Sequence, residues 1–117
     1  MSGTYERLIY ERRGKEQEQL WLTLSNEPMR NALDATMQQE LIQVLTEVCY
    51  DNSIRCVVIG AAGEKAFCSG GDIKLFETLN MVSGYDFSYQ RGNTLQHLIS
   101  YMEKPVIAAV GGMCFAG

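Results

Sequence analysis

The chain of 117 residues is 46% apolar and 21% charged, which is typical of one folded globular domain and argues against an intrinsically disordered segment. Its formal net charge is −4, and it contains no run of Lys and Arg of the kind that nucleic-acid binding requires. No apolar stretch approaches the roughly 18 residues needed to cross a bilayer. We therefore expect neither a nucleic acid nor a membrane as a partner.

The N-terminal residues and the cysteines bear on the cellular compartment. Residues 1–7 show neither the apolar core of a secretion signal nor an Arg-rich import pattern, so a cytoplasmic protein is expected. The four cysteines form no CxxC pair, and His97 is the only histidine. This pattern favours reduced thiols and predicts neither a disulfide framework nor a metal site. The cysteines are Cys49, Cys56, Cys68 and Cys114.

The first elements predicted along the chain are two strands that form a β-hairpin. Tyr5–Arg12 and Leu20–Leu24 have strand composition, and Gly14 lies in the turn between them. Pro28 has no amide hydrogen to donate to a neighbouring strand, so the second strand must end before it.

A long amphipathic helix follows. Asp34 is a typical N-cap, and the pattern predicts a helix from there to about Tyr50. Apolar residues recur at the spacing of one helical face, which should pack on the core. They are Met37, Leu41, Val44, Leu45 and Val48.

The second half of the chain repeats a strand, a glycine-rich loop and a helix. Cys56–Ile59 is a short apolar run typical of a strand buried on both faces in a parallel sheet. Residues 60–72 are expected to form a loop, and residues 73–79 have helical composition.

A second amphipathic helix, marked by Leu95, Leu98, Ile99 and Met102, should end before Pro105. Val106–Val110 repeats the signature of a buried strand, and residues 111–117 form a second glycine-rich segment. The order of elements predicts a single layered unit of the α/β class.

The two glycine segments follow the two predicted parallel strands, and ligands of open α/β sheets bind beyond the carboxyl ends of such strands. The segments could therefore face one ligand, although glycines after strands also form ordinary turns. Neither a GK[ST] phosphate loop nor a G-x-G-x-x-G dinucleotide fingerprint is present. Hydride transfer with a dinucleotide and hydrolysis of nucleotides are thereby excluded.

Three blocks in order resemble the enoyl-CoA hydratase/isomerase (crotonase) superfamily: Pro28–Leu33, Ala66–Lys74 and Lys104–Val110. The resemblance extends over about residues 20–117. It implies a spiral of ββα turns, of which residues 1–117 would be the incomplete N-terminal half and part of an acyl-CoA-binding domain. It also implies acyl-CoA thioesters as substrates, with coenzyme A as part of the substrate and no separate cofactor.

The resemblance assigns two backbone amides to catalysis, those of Gly71 and Gly117. In this family such amides form an oxyanion hole that holds the thioester oxygen as negative charge develops on it. Each preorganised donor of this kind contributes roughly 3 kcal/mol to lowering the barrier. Cys68 could be imagined as a nucleophile, but a small buried apolar side chain is the expected role.

By the same analogy, the residues that contact the substrate lie around these glycines. Arg30 and Lys74 would lie near the CoA phosphates, with surface charge as the alternative role for both. Asp72 is also expected to cap the helix that follows it. The full set that the resemblance implies is Arg30, Ala32, Ser69, Gly71, Asp72, Ile73, Lys74 and Gly117.

The leading reaction is hydration of a 2,3-enoyl-CoA or its isomerisation. Gly111 stands where the family usually has Asn, and Ala116 replaces a glycine, so the reaction is not fixed by these motifs. The alternatives are a non-catalytic CoA-binding or scaffold subunit, and a hydrolase or synthase on the same fold. The family's general acid and base glutamates would fall beyond Gly117. The resemblance therefore predicts that residues 1–117 are an inactive part of a longer protein, which would assemble as a trimer or hexamer.

Overall fold

The computed structural model describes residues 4–70 and 92–115. The chain begins with the predicted hairpin: β1 (Leu8–Arg13) pairs antiparallel with β2 (Gln19–Leu24). Alternate residues of β2 are buried, as expected for a strand that packs one face on a core. After β2, a short 3₁₀ helix (Glu27–Met29) turns the chain at Pro28.

The predicted amphipathic helix is confirmed as α1 (Ala35–Tyr50). The Asp34 side chain accepts a hydrogen bond from the amide of Met37 at 2.8 Å, so it caps the helix as expected. It also pairs with the Arg7 guanidinium at 2.8 Å, which ties the start of α1 to the chain preceding β1. All five apolar residues of the predicted face are buried.

Two further strands extend the sheet in parallel. β3 (Cys56–Ala61) pairs with β2, and β5 (Val106–Ala108) pairs with β3, which gives the order β1-β2-β3-β5. Val57, Val58 and Ile59 are buried, which confirms the prediction for this apolar run. Between β3 and β5 the chain forms α2 (Gly92–Tyr101), which ends before Pro105 as predicted.

The hydrophobic core lies between α1 and the inner face of the sheet, with Leu95 of α2 and Cys68 at its margin. The fully buried residues of this core make one continuous cluster. They come from β2, from α1 and from the segment 54–57 at the start of β3. Lys104, in the connection between α2 and β5, donates to the Val48 and Asp51 carbonyls at 2.5 Å each. This ammonium group therefore supplies hydrogen bonds to backbone carbonyls at the C-terminal end of α1.

The prediction of a buried strand over Val106–Val110 is wrong in two respects. The strand has three residues, and the side chains of Ile107 and Val110 are each 52% exposed. β5 is the edge strand of this sheet in the described part of the chain, so it has a partner on one side only. An apolar run predicts a strand, but it does not reveal whether a further layer covers that strand.

The prediction of a loop over residues 60–72 is also wrong in part. β3 continues to Ala61, and Ala66–Cys68 forms β4, which pairs in parallel with β6 (Met113–Cys114) in a separate two-stranded sheet. Strands of two or three residues carry no detectable alternation of apolar and polar residues, so the pattern could not show them. The helix predicted over residues 73–79 lies outside the described residues.

Replacing Asp34 tests the helix cap and the ion pair separately. Asp34→Ala removes both and should lower the free energy of unfolding by about 1–2 kcal/mol. Asp34→Asn retains a side-chain acceptor for Met37 and should cost less than about 1 kcal/mol. Urea denaturation of both variants gives the comparison. Equal losses in the two variants would show that the cap contributes nothing.

Candidate active site

The chain leaving β4 is held against a four-residue segment, Arg30–Leu33, which we term the strap. The amide of Ser69 donates to the carbonyl of Arg30 at 3.1 Å, and the amide of Leu33 donates to the carbonyl of Gly70 at 2.8 Å. The Ser69 hydroxyl donates to the Met29 carbonyl at 3.1 Å. Ser69 and Gly70, in the block Ala66–Lys74, are therefore fixed by hydrogen bonds rather than left as a free turn.

Asn31 is the residue of the strap whose buried side chain makes hydrogen bonds to other segments. Its side chain is 1% exposed, and its Oδ1 accepts from the amide of Asn26 at 2.8 Å. Its Nδ2 donates to the carbonyl of Ala62 at 3.1 Å and to that of Ala66 at 2.8 Å. One amide group thus connects the strap to the end of β3 and to the start of β4. Our sequence-based list of site residues does not include it.

The two glycine segments, residues 60–72 and 111–117, contain the neighbouring strands β4 and β6. β4 and β6 are parallel, with amides of Met113 and Phe115 donating to the carbonyls of Lys65 and Cys68 at 3.2 and 3.0 Å. Parallel strands have their carboxyl ends on one side, so Ser69–Gly70 and Phe115 emerge together. The structure therefore brings the described parts of the two segments to one place.

Gly112 allows a close approach to the chain entering β4, because a side chain would force the two backbones apart by a few tenths of an ångström. A Cβ atom at this position would lie 3.0 Å from the carbonyl carbon and oxygen of Lys65. At the neighbouring Gly111, a Cβ atom would meet nothing within 4 Å. The two adjacent glycines therefore differ in what they contribute, and Gly112 marks a close backbone approach.

A cavity of about 490 Å³ opens beside the strap. One wall is formed by Glu27, Pro28, Arg30 and Asn31, and the other by residues 62–66. The lining includes the cations Arg30 and Lys65 and the carboxylates Glu27 and Glu64, so its charge is mixed. An open cleft with charged residues around a largely apolar surface suits a ligand that carries both charged and neutral groups.

The predicted substrate-binding residues that the structure describes are Arg30, Ala32 and Ser69. Arg30 is exposed and lines the cavity, with a left-handed backbone (φ 53°). Ala32 is buried; its amide donates to the Met29 carbonyl and its carbonyl accepts from the amide of Asp34. Ser69 lies against the strap. The predicted residues Gly71, Asp72, Ile73, Lys74 and Gly117 lie outside the described residues.

Cys68 behaves as a core residue. It is 5% exposed, and burial raises the pKa of its thiol, while the hydrogen bond from the Gly70 amide to its sulfur partly offsets this rise. A thiol that stays protonated is a poor nucleophile.

His97 stacks on Tyr101 of α2, with ring centroids 5.9 Å apart.

The described residues include no group of three or more His, Cys, Asp and Glu side chains placed to hold a metal ion. Neither of the two described α-helices is long and apolar enough to cross a membrane.

A layered α/β fold with loops that leave parallel strands on one side is typical of proteins that bind ligands at the carboxyl edge of a sheet. Residues 15–117 match the family model "Enoyl-CoA hydratase/isomerase". The chain therefore belongs to the enoyl-CoA hydratase/isomerase family, within the crotonase superfamily.

Named relatives agree with this membership. The chain is 33% identical to the short-chain-enoyl-CoA hydratase of Clostridium acetobutylicum, over 82% of this chain and 36% of that protein. It is 33% identical to the crotonyl-CoA hydratase of Syntrophomonas wolfei, over 97% of this chain and 42% of that protein. The enoyl-CoA hydratase structure from Bacillus anthracis superposes with a TM-score of 0.82 at 26% identity, over 92% of this chain and 40% of that one.

These matches confirm the predicted family and the predicted crotonase-like α/β fold. They also show that the chain spans between 36% and 42% of the length of the two relatives named above.

Substituting the two neighbouring glycines tests the close approach of β6 to β4. Gly112→Ala should lower the free energy of unfolding by about 1–3 kcal/mol, because the methyl group must push two backbones apart. Gly111→Ala, the matched control, should change it by less than about 0.5 kcal/mol. Thermal unfolding measures both. Equal stability of the two variants would contradict the packing described for Gly112.

Proposed function

We propose that the protein binds acyl-CoA thioesters and stabilises an enolate on the thioester oxygen, with hydration of a 2,3-enoyl-CoA as its reaction. The observation that supports the proposal is the parallel pairing of β4 with β6, which brings the described parts of both glycine segments to one edge. Membership of the enoyl-CoA hydratase/isomerase family supports the substrate class. Isomerisation of a 2,3-enoyl-CoA would instead remove a proton from C4 and return one at C2, through a dienolate whose charge lies on the same thioester oxygen.

The proposed chemistry depends on backbone amides. The thioester oxygen would accept hydrogen bonds from the amides of Gly71 and Gly117. When water adds at C3, charge moves through C2 onto this oxygen, where the two donors stabilise it, each by roughly 3 kcal/mol. Protonation at C2 then restores the thioester. Neutral backbone donors suit this role because they need no change of protonation during the reaction.

Proton transfer needs a general acid and a general base within hydrogen-bond reach. We propose that glutamates beyond position 117 supply them, as the family resemblance implies. Residues 1–117 would then bind and polarise the thioester without turning it over. From family membership alone, we also propose a cytoplasmic protein that assembles as a trimer or hexamer, which light scattering would test.

The CoA moiety is proposed to bind along the strap, with Arg30 at the cavity facing its phosphates. Asp72, Ile73 and Lys74 are proposed to continue the same path. Arg30 is exposed, so its attraction for a phosphate is screened by salt and modest in size.

Neutralising Arg30 tests this placement. Arg30→Met retains the aliphatic stem and should weaken CoA binding by about three- to tenfold at low salt, with a smaller difference at high salt. Arg55→Met is the matched control, because Arg55 is also exposed but precedes β3, at the opposite end of that strand from the cavity. Calorimetric titration with CoA gives both affinities. Equal weakening by the two variants would place the phosphates elsewhere.

The oxyanion site has a spectroscopic test that does not require turnover. A 3-oxoacyl-CoA forms an enolate with a strong ultraviolet absorption, and donors at its thioester oxygen should favour that form. We expect the enolate band to grow when the protein binds acetoacetyl-CoA at constant pH. CoA alone has no thioester oxygen, so its titration measures the binding of the CoA moiety by itself. Binding of acetoacetyl-CoA without any growth of the band would refute the proposed function.

A further inference from the structure

We propose that Cys68 and Cys114 form a redox-sensitive pair, which a peroxide converts into a disulfide between β4 and β6. All four cysteines of the chain are free thiols in the structure. The pair takes no part in the chemistry proposed above, so its oxidation can be tested whether or not the protein acts on acyl-CoA.

The pairing of the two short strands places these cysteines side by side. Cys68 and Cys114 lie opposite each other in the parallel pair, and the amide of Phe115 donates to the Cys68 carbonyl at 3.0 Å. Paired strands lie about 4.8 Å apart, within the roughly 4.4–6.8 Å between Cα atoms that a disulfide spans. In the described sheets no other two cysteines lie opposite each other.

The side chains of the pair are also close. The register shifts between Ala66 and Cys68, so β4 is irregular at this point, and such bulges change the direction of a side chain. Burial is the main cause that raises the pKa of the Cys68 thiol, and the nearby Cys114 adds to the rise. The two thiol groups therefore lie near enough to interact electrostatically.

The two thiols differ in their access to solvent. Cys114 is exposed, whereas Cys68 is 5% exposed and belongs to the hydrophobic core. Oxidation of a cysteine follows its exposure and its thiolate character, so a dissolved peroxide should react with Cys114 first. Burial protects Cys68, which stays a thiol and can react with the oxidised partner.

The oxidation proceeds in two steps. Hydrogen peroxide transfers one oxygen atom to the Cys114 sulfur, which gives a sulfenic acid and one molecule of water. The Cys68 sulfur then attacks the Cys114 sulfur; the S–O bond breaks as the S–S bond forms, and the Cys68 proton leaves with the hydroxide as a second water. A raised pKa slows this attack, but two groups held on adjacent strands need no diffusional encounter.

The disulfide would strengthen the pairing on which the two glycine segments depend. It would join β4 to β6 covalently and close a loop of chain that contains α2 and β5. Closing a long loop removes conformational entropy from the unfolded chain. The oxidised protein should therefore unfold at a temperature about 5–15 °C higher than the reduced protein.

The test treats the reduced full chain with hydrogen peroxide and maps its cysteines by digestion and mass spectrometry. We expect two peptides joined through Cys68 and Cys114, and a loss of about 2 Da that a reducing agent reverses. Cys114→Ser should form no disulfide. Cys49→Ser is the matched control, because Cys49 is also exposed but lies on α1, and this variant should form the same disulfide as the parent.

Replacing the buried partner tests the order of the two steps. Cys68→Ala retains a small side chain in the core, and its oxidation should stop at the sulfenic acid of Cys114, which dimedone traps. Circular dichroism verifies the fold of each variant. If Cys68→Ala does not fold, Cys114→Ser still tests the pair, because it changes only an exposed side chain.

Three results would overturn the proposal. The first is oxidation of Cys114 in the folded protein without a bond to Cys68. The second is a disulfide that involves Cys49 or Cys56 instead. The third is formation of the Cys68–Cys114 bond to the same extent in concentrated urea, because the bond would then not depend on the pairing of β4 with β6.

Discussion

The parallel pairing of β4 with β6 is the constraint on which the site depends. Each strand has only two or three residues, and each lies within one of the glycine segments. Because the strands run in the same direction, the segments emerge at one edge and can address one ligand. If the pairing were antiparallel, they would emerge at opposite ends. The larger sheet and α1 supply the core that holds β4 in place.

The strap adds a second constraint, on orientation. Pairing of strands brings the two segments together, but it does not determine which way a peptide group faces. The bonds from the strap fix the backbone of Ser69 and the carbonyl of Gly70, and Asn31 holds the strap. Gly112 lies so close to Lys65 that a side chain there would push the two backbones apart by a few tenths of an ångström. The position of the two segments and the orientation of Ser69 and Gly70 thus depend on different residues.

The sequence predicted the parts of the fold that are governed by local rules. The cap at Asp34 and the apolar face of α1 follow from helical geometry. The continuous apolar run of β3 follows because both faces of that strand are buried. The exposure of Ile107 was not predictable, because it depends on what covers the edge of the sheet. β4 and β6 are too short to show a period, and Asn31 bonds to residues more than 30 positions away.

The proposed function requires two glycine amides to converge on one carbonyl oxygen, and nuclear magnetic resonance can observe those amides directly. The measurement is a ¹H–¹⁵N spectrum of the protein labelled at glycine, titrated with acetoacetyl-CoA and separately with CoA. We expect the amide protons of Gly71 and Gly117 both to shift downfield with acetoacetyl-CoA and not with CoA. A saturated complex in which neither amide shifts, or in which CoA produces the same shifts, would contradict the proposed function.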